Sequence, residues 1–176
     1  MKKGLIIIGP RSIGKSSVGK ILAKKLKIPF FDFDKVVENK IGSIDLYIEK
    51  KGFDQTRKKE HEILKIFVKK LPKKFVLSLG GGTIASQLKE ISYANFKLLK
   101  DKGTLICLIP FKSNSKSIRL LYRREKTRRG NQSLKQIKNL YSLRYPIYRK
   151  IANKIFFVKN KKISKIVNEI AIQIKK

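Results

Sequence analysis

The chain has 176 residues, 41% of them hydrophobic, and a formal net charge of +32 from 44 Lys and Arg against 12 Asp and Glu. That length suits one domain burying about two-thirds of its unfolded surface, and no apolar run approaches the roughly 18 residues a membrane span needs. Nine Arg leave 35 Lys, scattered along the chain among 25 Ile; such usage, without interleaved aromatics, predicts no specific nucleic-acid partner, only faster capture of anionic ligands and weak polyanion binding at low salt.

Met1-Lys2-Lys3 ahead of a short apolar run imitates a secretory leader only faintly, because the run passes directly into a Gly-containing loop. A cytoplasmic protein is expected. Leu5 to Ile8 predict a buried strand, and Gly9-Pro10-Arg11-Ser12-Ile13-Gly14-Lys15-Ser16 fits the phosphate-loop pattern G-x-x-x-x-G-K-[ST]. Val18, Ile21, Leu22 and Leu26 then recur at helical spacing. Backbone N–H groups of such a loop, with the positive helix end behind them, form a concave site for a di- or triphosphate. Lys15 can reach the β- and γ-phosphates, and the Ser16 hydroxyl is placed for Mg²⁺. Ser12, Ile13, Gly14, Lys15, Ser16 and Ser17 are the candidate ATP-binding residues of this segment.

Phe30 to Asp34 follow as a short extended segment ending in Asp32-Phe33-Asp34, whose alternation puts both carboxylates on one side. One can hold a metal and the other accept a hydroxyl proton; the plainer reading is a turn, with Asp34 as a helix N-cap. Helical pieces are expected over 35–40, 43–51 and 54–70. In the last, Arg57 and Glu60 stand one turn apart as a candidate surface ion pair, and His61, without a metal-spaced partner, is expected in solvent with no chemistry. Lys74 to Leu79 form a strand that runs into Gly80-Gly81-Gly82, a costly triplet for a plain turn and a sign that ligand approaches backbone there.

Helical segments are predicted over 85–90 and 94–102, then a strand over 104–109 in which Cys107 is a buried, unpaired thiol. A short helix over 115–122 leads to the segment 123–132, Arg-Arg-Glu-Lys-Thr-Arg-Arg-Gly-Asn-Gln, which has no apolar anchor and reads as a mobile, arginine-rich lid. Ser133 caps a helix to about Lys150 that Pro146 should kink, 155–158 form the last strand, and 164–174 the last helix. Five strands alternating with helices predict an α/β fold: a mostly parallel sheet covered on both faces. A single domain over 1–176, with the lid inside it, and a monomer are expected.

Phosphate loop, paired aspartates, glycine triplet and basic lid together describe a small-molecule kinase, and their order and spacing resemble the shikimate kinases. Asp32-Phe33-Asp34, Ser78-Leu79-Gly80-Gly81-Gly82, Gly52 with Arg57 and Glu60 in the pattern G…R-x-x-E, and Arg144-Tyr145-Pro146-Ile147-Tyr148 with Ala152 in the pattern R-x-P-L-Y-x-x-x-A carry that resemblance. It implies a three-layer α/β/α phosphate-loop kinase that phosphorylates the 3-hydroxyl of shikimate with ATP, in chorismate and aromatic amino-acid biosynthesis. It implies Asp34, Arg57, Gly80, Gly81, Gly82 and Arg144 around shikimate, Mg²⁺ on Ser16 and Asp32, and Asp34 and Lys15 as catalytic groups. A lid arginine completes that set, Arg129 before Arg128, with Arg119 or Arg123 against the adenine. The chain departs from the pattern at Ser12, usually Gly, at Phe53 and Thr56, usually Glu and Phe, and in a lid without R-P-L-L. Gluconate or nucleoside monophosphate kinases on the same scaffold, and a non-catalytic nucleotide-binding module, are the competing readings.

Overall fold

A computed structural model describes residues 4–127, 132–159 and 161–174. Five strands, β1 (Gly4–Ile8), β2 (Phe30–Asp32), β3 (Val76–Ser78), β4 (Gly103–Ile109) and β5 (Lys154–Phe157), form one sheet in the order β2-β3-β1-β4-β5, every pairing parallel. Among the described residues eight helices cover it: α1 (Lys15–Leu26), α2 (Phe33–Ile41), α3 (Ile44–Lys51), α4 (Phe53–Phe67), α5 (Lys89–Lys100), α6 (Asn114–Thr127), α7 (Leu134–Ile151) and α8 (Ile163–Gln173). Strand alternation divides the core in two. Leu5 and Ile7 face one layer with Val18, Leu22, Ile166 and Ile170 of α1 and α8, while Ile6 and Ile8 face the other with Phe33, Leu64 and Leu99 of α2, α4 and α5. Apolar cover on both faces explains why β1 and β4 read as continuous hydrophobic runs. The result is a three-layer α/β/α architecture.

Three expectations change. Asp32 closes β2, but Asp34 lies in the first turn of α2, so the two carboxylates do not share one extended strand. Phe33 between them is fully buried, and a carboxylate at a helix start is favoured by the helix dipole. The two helical pieces over 85–90 and 94–102 are instead one helix, α5, preceded by buried bends in which the Ser92 hydroxyl accepts from the Ser86 N–H at 2.9 Å. Finally, Arg123 to Thr127 are not a loop but the last turns of α6. Glu125 is 3% exposed there and supplies the inward anchor that hydropathy alone does not register. Of the expected lid, residues 128–131, including Arg128 and Arg129, lie outside the described residues.

α7 begins with a capping box, the Ser133 hydroxyl accepting from the Gln136 N–H and the Gln136 side chain accepting from the Ser133 N–H, and it runs through Pro146 to Ile151. Cys107 is buried and free, its thiol pushed up to about 12 by burial. Among the described residues no helix is long and apolar enough to cross a membrane.

Candidate active site

β1, β3 and β2 are neighbours, so everything that follows their carboxyl ends meets in one place. After β1 the phosphate loop turns through Gly9 at φ 138°, Ser12 at φ 61° and Gly14 at φ 99° into α1. Lys15 is 8% exposed, and its ammonium donates to the Pro10 carbonyl at 2.9 Å, the side chain curling back over its own loop. Burial lowers its pKa to about 8; the Asp34 carboxylate resists that shift and the Arg144 guanidinium adds to it. Ser16 is exposed at the head of α1 with its hydroxyl 3.4 Å from that of Ser78, and Ser78 is in register with Asp32 across the β2–β3 pair. Ser17 and Gly14 line the adjoining cleft.

The glycine triplet follows β3. A side chain at Gly80 would collide with the Asp34 carboxylate, and one at Gly82 would come within 2.9 Å of the Arg57 guanidinium carbon and 3.0 Å of Arg144 Nη2. None of the three has positive φ, so the need for glycine here is space and not backbone conformation. Asp34, at the open mouth, has its carboxyl pKa raised by the surrounding protein, an effect opposed by Lys15. Arg144 is 8% exposed, with its pKa lowered by burial, and the Nε atoms of both Arg57 and Arg144 find no hydrogen-bond partner among the described residues. Two buried guanidinium groups with spare donors against a bare backbone turn fit an anion, a planar carboxylate above all.

Several neighbours were not legible in the sequence. Arg57 does pair with Glu60, but as a buried ion pair and not a surface one, with burial raising the Glu60 pKa against the pull of Arg57. His61 is half-buried rather than solvated: its Nδ1 stands 2.6 Å from Asn95 Oδ1, while Asn95 Nδ2 donates to the Thr83 carbonyl at 2.6 Å. The amide oxygen of Asn95 is therefore the acceptor, and the His61 proton sits on Nδ1. Tyr148, one turn after Arg144, donates its hydroxyl to the Gly81 carbonyl. The R-x-P-I-Y spacing is the signal that could have found it, because i and i+4 on a helix share a face.

The cleft that Gly14 and Ser17 line beside the loop is completed by Ser12, Ile13, Arg124, Thr127 and Lys161. Its arginine is Arg124, whereas Arg119 and Arg123 are exposed and do not line it. The face of α6 that meets the loop decides this, and the Arg-Arg pair alone does not say which member turns inward. The oxygens of Ser16, Asp32 and Ser78 are donors of the kind a hard cation with few protein ligands takes.

Comparison with known proteins places the fold and the family. The family model described as Shikimate kinase matches residues 11–175. The Shikimate kinase of Francisella tularensis subsp. novicida is 30% identical over 172 residues, covering 96% of this chain and 93% of that protein. The Pentafunctional AROM polypeptide of Schizosaccharomyces pombe is 29% identical over 153 residues, and there the match covers 86% of this chain but only 9% of the longer polypeptide. Among solved structures, the shikimate kinase from Acinetobacter baumannii in complex with shikimate superposes with a TM-score of 0.83 at 25% identity, covering 98% of this chain and 92% of that one. With nearly the whole chain matched in both sequence and fold, this protein belongs to the shikimate kinase family.

Proposed function

We propose that this chain transfers the γ-phosphoryl group of ATP to the 3-hydroxyl of shikimate, releasing shikimate 3-phosphate and ADP. The observation that carries the reading is the meeting of Arg57, Arg144 and Asp34 at the Gly80–Gly82 turn, a short distance from the phosphate loop. Shikimate presents one carboxylate and three hydroxyls. The two guanidinium groups would take the carboxylate, each charge-assisted hydrogen bond contributing on the order of 1.5–3 kcal/mol, and the bare glycine backbone leaves room for the ring. Asp34 would orient the 3-hydroxyl and accept its proton as the new O–P bond forms and the bond from the γ-phosphorus to the β–γ bridging oxygen breaks.

Residues Ser12 to Ser17 would hold the ATP phosphates, with Lys15 leaving the Pro10 carbonyl for the γ-phosphate. Arg129, outside the described residues, is the candidate for a further positive charge on the transferring group. Ser16 and Asp32 would hold Mg²⁺, which when bound neutralises phosphate charge. The test is ADP release from ATP and Mg²⁺ at moderate salt with shikimate, gluconate or AMP as acceptor. Stimulation by shikimate alone is expected. Equal stimulation by gluconate or AMP, or none by shikimate, would overturn the assignment.

A further inference from the structure

Among the described residues three non-glycines adopt a left-handed backbone, Ser12, Lys27 and Lys159, and of these only Ser12 is buried. It sits at φ 61° in the middle of the phosphate loop, a conformation that disfavours any side chain with a Cβ. Something must hold it there. The Ser12 hydroxyl donates to Glu125 Oε2 at 2.6 Å, and Glu125, 3% exposed on the last turn of α6, brings its other oxygen, Oε1, within 3.3 Å of Arg11 Nε. One residue back, Arg124 Nη1 donates to the Ile13 carbonyl at 3.1 Å. The end of α6 thus grips Arg11, Ser12 and Ile13 in succession, and none of these contacts belongs to the groups assigned above to shikimate.

We infer that Glu125 is a positioning residue for the phosphate loop: it commits the Ser12 side chain to α6 and so keeps a non-glycine residue in the left-handed turn that presents the loop N–H groups to the ATP phosphates. The inference rests on the ATP-dependent reading above and deepens it. It explains how this loop tolerates serine, since a bond from hydroxyl to buried carboxylate replaces the conformational freedom of glycine. It also makes the geometry of the phosphate site depend on the seating of α6.

The test is a double-mutant cycle read by calorimetric binding of Mg·ATP, with steady-state KM values for ATP and shikimate alongside. Glu125→Ala is expected to weaken ATP binding about tenfold, the size of a left-handed penalty no longer offset, with the shikimate KM changed less than about twofold. Glu125→Gln, whose amide oxygen still accepts from the hydroxyl, should recover most of the loss. In a Ser12→Gly background, where the turn needs no holding, Glu125→Ala should shift ATP affinity by less than about twofold. Equal losses in both backgrounds, or no loss in Glu125→Ala, would overturn the inference. Should Glu125→Ala fail to fold, Ser12→Ala tests the same point: it keeps the Cβ, removes the hydroxyl, and should bind ATP about tenfold more weakly than Ser12→Gly. Equal affinity in that pair would also overturn it. Wild-type protein that binds no Mg·ATP would overturn the functional reading itself, a result distinct from each of these.

Discussion

The fold works against the charged forms of both Lys15 and Asp34. Burial pulls the Lys15 pKa down to about 8 and desolvation by the surrounding protein pushes that of Asp34 up, while the charge of each opposes the other's shift. Burial of this amine therefore costs stability at Lys15. Replacing it in Lys15→Met should stabilise the free protein by about 2–3 kcal/mol near pH 7, read from urea denaturation, while reducing turnover by roughly 10²-fold or more. The sign with pH follows from linkage. Between about 8 and the ordinary 10.5 the unfolded chain holds a proton on this amine that the native state has lost, so wild-type stability gains on the variant across that window and the difference closes. A difference that stayed constant from pH 7 to pH 10.5 would refute the buried-amine account. For Asp34→Asn, ATP binding should stay within about twofold and turnover should fall by roughly 10²-fold or more, because only the proton acceptor changes; turnover at the wild-type level would remove Asp34 from that role.

At the scale of elements, the glycine turn is held from outside the sheet. α7 brings Tyr148 to the Gly81 carbonyl and Arg144 beside Gly82, and α5 brings Asn95 to the Thr83 carbonyl while accepting from His61 on α4. Asn95 is 1% exposed, so its removal strands a buried carbonyl and loosens two helices at once. Asn95→Ala should cost about 2–4 kcal/mol in equilibrium unfolding and raise the shikimate KM more than the ATP KM. A loss below about 1 kcal/mol would mean that the turn holds its shape without α5. Only the i,i+4 spacing of Arg144 and Tyr148 leaves a mark in local sequence; the ties through Asn95 leave none. Asn95 lies in a helix whose periodicity speaks only of its apolar face, and an amide reaching across to another segment leaves no periodic trace. Arg57 and Glu60 were visible as an i,i+3 pair, yet their burial depends on what packs over α4 and not on their spacing.

For the molecule as a whole, +32 charges on 176 residues make self-repulsion a standing cost, and few acidic partners offset it. Raising NaCl from about 20 to about 300 mM, which shortens the screening length from roughly 20 Å to below 8 Å, should raise Tm by several degrees while weakening apparent ATP affinity. A falling Tm would show that specific ion pairs outweigh the net charge. The sequence by itself determined the phosphate-loop pattern, the parallel α/β class and the buried thiol, because strands buried on both faces and fixed short motifs are written in contiguous residues, whereas Asp34, Arg57, Gly80 to Gly82 and Arg144 were grouped there only by resemblance to the shikimate kinases. Only the tertiary structure decided that β3 lies between β1 and β2, which sets the glycine turn against both the loop and Asp34, and that α6 extends to Thr127 with Glu125 and Arg124 turned onto the loop. Strand order and the inward face of a charged helix depend on contacts between residues far apart in the chain, Ser12 and Glu125 being 113 positions apart, and no local pattern encodes which of many such contacts the packed core selects.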